Sequence, residues 1–129
     1  MIVIKKTIRI LKETENGSVT QRFCIAILQK CSIKDTVIPV MIENELIEWV
    51  INLIKQSLDE KIHIFCLDFS SALLANIVHS QQTISFFENN LDIAKKTLQD
   101  LLSLMNSKIP VSVLMHILIA ISYLSKENF

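Results

Sequence analysis

His63 and Cys66 stand three residues apart, a spacing that on a helix puts an imidazole and a thiol on one face. Two chemistries use such a pair: a structural metal site, and a thiol nucleophile with its base. A structural zinc takes four ligands, and Cys24, Cys31, His79 and His116 contain no second pair at ligand spacing. The pair is half a site, read as a core thiol beside a partly exposed imidazole. Nothing local to any of the three cysteines supports activation to a thiolate. Glycine chemistry is excluded more firmly. Gly17 is the only glycine, whereas a phosphate-binding loop, a dinucleotide fingerprint and a nucleophile elbow each need two or more at fixed spacing. The 13 basic and 13 acidic side chains cancel, which removes the bulk positive charge of a nucleic-acid binder. The expectation is a chain without catalytic residues, metal or cofactor.

The elements that carry these side chains read as helices. A length of 129 residues, half of them apolar, points to one domain over 1–129 with a real core. Two prolines, Pro39 and Pro110, leave long stretches without a breaker. The spacing predicts helices over 2–13, 18–31, 45–56, 62–78, 91–105 and 111–124. In 45–56 the stripe is Leu46, Ile47, Val50, Ile51 and Ile54, with Asn44 placed to cap its start. In 91–105 it is Leu91, Ala94, Leu98, Leu101, Leu102 and Met105. The segments 62–78 and 111–124 are apolar nearly all round and need neighbours on several sides. Ser57 and Glu60 have capping-box spacing ahead of the first, and Pro110 suits the first turn of the second. Asn16-Gly17-Ser18, formally a glycosylation sequon, reads as a turn and cap. No signal-peptide pattern opens the chain, and 111–124 falls short of the roughly 20 residues that span a bilayer. Three cysteines within apolar patterns fit reduced intracellular thiols, so a cytoplasmic protein without membrane insertion is expected.

The helices recur in pairs. Glu43-Asn44 precedes one half-exposed helix and Glu88-Asn89 precedes another about 45 residues later. The buried helices end in Ile27 to Ser32, Leu73 to Val78 and Ala120 to Ser125, again at about that interval. This period lies within the ~40–47-residue band of armadillo and HEAT repeats. The fold class expected is therefore all-α, an armadillo/HEAT-like right-handed α-solenoid of about three degenerate repeats. A closed bundle would show no fixed period.

MIENELIEWVINLIK (Met41 to Lys55) resembles the first part of an armadillo unit, and AILQKCS (Ala26 to Ser32) and SALLANIVHS (Ser71 to Ser80) resemble its ending. Glu45 and Asn90 stand where the armadillo turn has glycine. Between Ile25 and Asn76 the chain resembles the armadillo region of the armadillo repeat-containing protein nine family. The matching elements are Leu28-Gln29-Lys30-x-Ser32, then Met41-Ile42 with Leu46-Ile47-x-Trp49, then Ala72-Leu73-Leu74-x-Asn76. That family's LisH motif and coiled coil have no counterpart here, so the chain reads as a fragment or short relative. The resemblance implies a non-catalytic scaffold at cilia and basal bodies, acting through protein partners in cilium assembly or maintenance. The alternative is a general armadillo/HEAT module in trafficking or cytoskeletal regulation, and a third reading is a small helical enzyme or metal protein.

Peptide-carrying armadillo proteins such as nuclear import adaptors use Trp-x-x-x-Asn on each groove helix. Here Lys30, Asn76 and Tyr123 hold the Asn position, and Ala26, Ala72 and Ile119 the Trp position. Only Asn76 survives, and the import-adaptor reading fails at the residues that would carry it. The stacked groove helices are still expected to line up Arg22, Lys30, Asp68, Asn76, His116 and Tyr123 on the concave side, a mixed lining suited to a polypeptide. Asn76 either holds a partner's backbone or satisfies a neighbouring helix end. Trp49 either packs on the adjacent repeat or anchors an interface.

Overall fold

The computed structural model describes residues 1–105 and 108–127. Among these residues there are eight α-helices, one short 3-10 turn and no strand. The first repeat is α1 (Ile2–Glu13) and α2 (Val19–Cys31); the second is α3 (Ile38–Glu43), α4 (Leu46–Gln56) and α5 (Ile64–His79). The third is α6 (Gln81–Glu88), α7 (Leu91–Ser103) and α8 (Val111–Ser125). Helices α2, α5 and α8 stack side by side as the inner layer, while α3 meets α6 and α4 meets α7 on the other side. This is the expected all-α solenoid.

Local chemistry places the boundaries. Gly17 takes φ +84°, a left-handed turn that costs glycine nothing. Ser18 then caps α2 by accepting from the Gln21 N–H at 3.0 Å, and the Gln21 side chain accepts from the Gly17 N–H at 2.8 Å. Gln21 is fully buried, and its amide donates to Asn16 Oδ1, so the turn satisfies its own polar groups.

Two short helices, α3 and α6, lie inside stretches that sequence periodicity leaves as connections. Each is about two turns or less, too short for a periodic signal, and is held by packing rather than propensity. Their presence moves the expected caps. Asn44 closes α3 and donates to the Val40 carbonyl at 2.7 Å, instead of capping α4. Asn89 does the same on the Ser85 carbonyl at 3.0 Å in the next repeat. The α4 start falls on Glu45, held at φ 57° where the armadillo turn has glycine. Ser57 likewise ends α4, donating to the Ile54 carbonyl, and builds no capping box with Glu60. Helix α5 is capped by His63, whose Nδ1 accepts from the Phe65 N–H at 3.1 Å.

The two all-round apolar helices have different fates. Helix α5, covered on both flanks, buries Cys66, Leu67, Leu73, Leu74, Ile77 and Val78 among others. Helix α8 buries only Val113, Ile117, Ala120 and Leu124, and exposes Val111, Met115, Leu118 and Ile119. The expectation that α8 has neighbours on several sides is corrected: among the described residues it is covered chiefly by α5 and α7. The stripe on α7 is narrowed for the same reason. Ala94, Thr97 and Leu101 are buried, whereas Leu91, Leu102 and Met105 are exposed.

Candidate protein-binding surface

The inner helices are tied together by polar contacts between residues one repeat apart. The Cys66 thiol donates to Gln21 Oε1 at 3.7 Å, and the Ser80 hydroxyl donates to Asp35 at 2.8 Å. The Asn76 amide donates to Ser32 Oγ at 3.0 Å and lies 3.5 Å from the Gln29 carbonyl, at the C-terminal end of α2. Across the other joint, Ser71 and His116 Nδ1 are 2.8 Å apart, and the His79 and Tyr123 rings lie 4.4 Å apart.

These contacts locate the residues expected along the groove. Asn76 spends its amide on the neighbouring helix end, the second of its two readings. His116 is wedged against α5, with Asp68 Oδ1 4.0 Å from its Nδ1. That carboxylate oxygen is buried and accepts no hydrogen bond among the described residues. Tyr123 meets His79 with the rings tilted by 40° and carries Lys126 over its face at 5.3 Å. Lys30 is exposed, and Arg22 is half-buried with its Nε lacking a hydrogen-bond partner among the described residues. Trp49 is half-buried on the core and shares a hollow with Leu11, Lys12 and Thr14 of the first repeat.

Ser71, His116 and Asp68 include the residue types of a nucleophilic triad but not its geometry. Ser71 is fully buried and lies within hydrogen-bond reach of both the Asp68 carbonyl at 3.0 Å and Nδ1 of His116 at 2.8 Å, the imidazole tautomer setting which of the two receives its proton. Serine and carboxylate approach the same ring nitrogen, whereas a relay needs one on each. The contact is a helix-packing bond. His63 and Cys66 also separate: the imidazole is exposed and caps its helix, while the thiol is buried. Burial raises the Cys66 pKa, against the opposing pull of the Arg22 charge, and burial raises that of Cys24. Neither is poised as a thiolate. Among the described residues, no three His, Cys, Asp or Glu side chains converge as a metal cage would require.

Sequence reasoning missed the most exposed aromatic cluster. Phe23 on α2 and Phe65 and Phe69 on α5 face solvent around a hollow floored by Arg22, Ala26 and Cys66. Phe65 stacks on His63 at 5.1 Å and lies 6.4 Å from Phe69. A signal was available, because Phe65 and Phe69 are one turn apart and Phe23 holds the repeat position of Phe69. The hollow offers apolar walls, with Arg22 contributing its aliphatic stem, which fits an apolar side chain.

Comparison with known families finds one match. A family model described as LisH domain-containing protein ARMC9, ARM repeats, matches residues 41–126. The match begins in α3 and ends just past α8, so it covers nearly all of the second and third repeats. It extends the likeness beyond Asn76 into the third repeat and leaves the first repeat outside. No curated protein and no solved structure matches the chain.

Proposed function

The chain belongs to the ARM-repeat family of LisH domain-containing protein ARMC9, and from this we propose that it is a non-catalytic scaffold acting in cilium assembly or maintenance. The family match over 41–126 carries the reading. Its partners are proteins, and the contact surface is the inner layer around Phe23, Phe65 and Phe69, with Arg22 and Ala26 beneath. Exposed aromatic side chains beside an arginine are the residue types that dominate protein interfaces. An apolar anchor residue is the partner chemistry that this cleft fits. No described helix is long and apolar enough to cross a membrane.

The test is location coupled to the cleft. A tagged copy in a ciliated cell is expected at basal bodies or along cilia, and the double substitution Phe65→Ala and Phe69→Ser disperses it without loss of expression. Uniform cytosolic signal from a functional copy, with normal ciliation after deletion, overturns the ciliary role in favour of a scaffold elsewhere.

A further inference from the structure

Given the contact surface proposed above, on which this rests, we propose that its occupant is a partner's amphipathic α-helix of about four turns, laid across α2, α5 and α8 with an acidic flank toward their C-terminal ends. Steps of 46 residues lead from Val19 to Phe65 to Val111, and from Phe23 to Phe69 to Met115. Within each helix the two positions are one turn apart, and all six side chains are exposed. They form a ladder of three apolar rungs across the inner layer. Phe23, Phe65 and Phe69 border one hollow, so the first two rungs adjoin. Phe65 is 56% exposed although α5 has an inner helix packed on each side. That exposure belongs to the inner face and not to an end of the chain, and repeats stacked beyond either end would leave it open.

The chemistry of the ladder selects a helix over an extended segment. Its six side chains hold no nitrogen or oxygen, and the Asn76 amide already donates to Ser32. An extended backbone pressed here would lose water from its N–H and C=O groups with nothing in exchange, whereas a helix satisfies its own. Spacing agrees. Packed helices lie about 8–10 Å apart, and seven residues of helix rise about 10.5 Å, so apolar residues at i and i+7 step from rung to rung. Three rungs then take about 14 residues. Charge sets the flank. Asp68 is the only acidic residue within α2, α5 and α8, and one of its carboxylate oxygens is buried. Lys30 and Lys126 stand exposed at the C-terminal ends of α2 and α8. Helical side chains lean toward the N-terminus, here toward the ladder, as Lys126 does over the Tyr123 ring. Acidic residues on that flank of the docked helix are the complement.

The test is selection of random phage-displayed peptides, each about 16 residues long to span the ladder, on the purified 129-residue chain. Enriched peptides are expected to repeat apolar residues at i, i+3 or i+4 and i+7, to carry an excess of Asp and Glu, and to gain helical circular dichroism on binding. A synthetic copy of the most enriched peptide should bind about tenfold more weakly to the Phe65→Ala and Phe69→Ser double variant. It should bind several-fold more weakly to Lys30→Glu. Phe23→Ser and Met115→Ser read the same ladder from its outer rungs should the double variant lose its helical circular dichroism. Enriched peptides that are proline-rich or alternate apolar residues with period two overturn the proposal. Binding that no ladder variant weakens, no enrichment at all, or ladder-dependent binding to phosphatidylserine vesicles in place of peptide overturns it as well. The selection contains no cell, so its outcome is independent of location. Extended peptides together with dispersal of the Phe65 and Phe69 variant from cilia would reject the helix and keep the surface.

Discussion

The hydroxyl of Ser71 and Nδ1 of His116 are 2.8 Å apart in space and 45 residues apart in the chain. Cys66 and Gln21, Ser80 and Asp35, and Lys55 and Asp100 are separated by the same 45 residues and are likewise in contact. A separation close to the repeat length is therefore also the contact register, and the polar pairs at each joint resist a slip of one helix past the next. Such a slip would cost the Asn76 amide its bond to Ser32 and His116 its bond to Ser71.

Removing that pair should show coupling. Ser71→Ala and His116→Ala in a double-mutant cycle should give an interaction free energy of about 0.5–1.5 kcal/mol by urea unfolding. Additive effects of the two substitutions would mean that the bond contributes nothing beyond packing.

Glu45 pays for its position with backbone strain, since a left-handed conformation costs a non-glycine residue roughly 1–2 kcal/mol. Glu45→Gly relieves this while adding freedom to the unfolded chain, so a net gain of about 0.5–1 kcal/mol is expected. Thermal unfolding should rise by a few degrees, and an unchanged Tm would show that the turn is unstrained.

Asn76→Ala should lower stability by about 1 kcal/mol, because it removes the donor that joins α5 to the end of α2. Lys30→Glu, on an exposed side chain, should leave thermal unfolding within about 0.5 kcal/mol of the parent. Equal effects of the two substitutions would show that the Asn76 contact has no structural weight.

Asp100 joins α7 to α4, with Lys96 at 2.8 Å and Lys55 at 3.5 Å. Burial alone would raise its pKa, but the hydrogen bond from Lys96 and the Lys55 charge outweigh it and hold the carboxyl below its ordinary 3.8. The folded value is the lower one. The stabilisation is thus complete above the unfolded value and is lost as pH falls through the folded value. For a partly exposed pair it amounts to about 0.5 kcal/mol. Asp100→Asn should lower stability slightly at neutral pH, and the gap should close below pH ~4. A gap that persists at acid pH would assign the effect to packing.

Helix type and repeat period were legible in the sequence because both are local or periodic properties. Leu46, Val50 and Ile54 declare a helix whatever surrounds them, and the endings at Ser32, Val78 and Ser125 declare a period. Gly17 and Ser18 declare a turn for the same reason. The aromatic cleft was legible in part: Phe65 and Phe69 share a helix face by spacing alone, but their exposure does not follow from it. Burial depends on a neighbour, and a neighbour is a tertiary fact. Helices α5 and α8 carry nearly the same apolar pattern, yet Ser71 is covered and its counterpart Leu118 is not, because α8 packs over one and no helix among the described residues packs over the other. The roles of Asn76 and His116 were open for the same reason. An amide on a groove helix suits a partner or an adjacent helix equally well by sequence, and the 3.0 Å approach of Asn76 to Ser32 and the 2.8 Å approach of His116 to Ser71 are tertiary contacts that no local pattern announces.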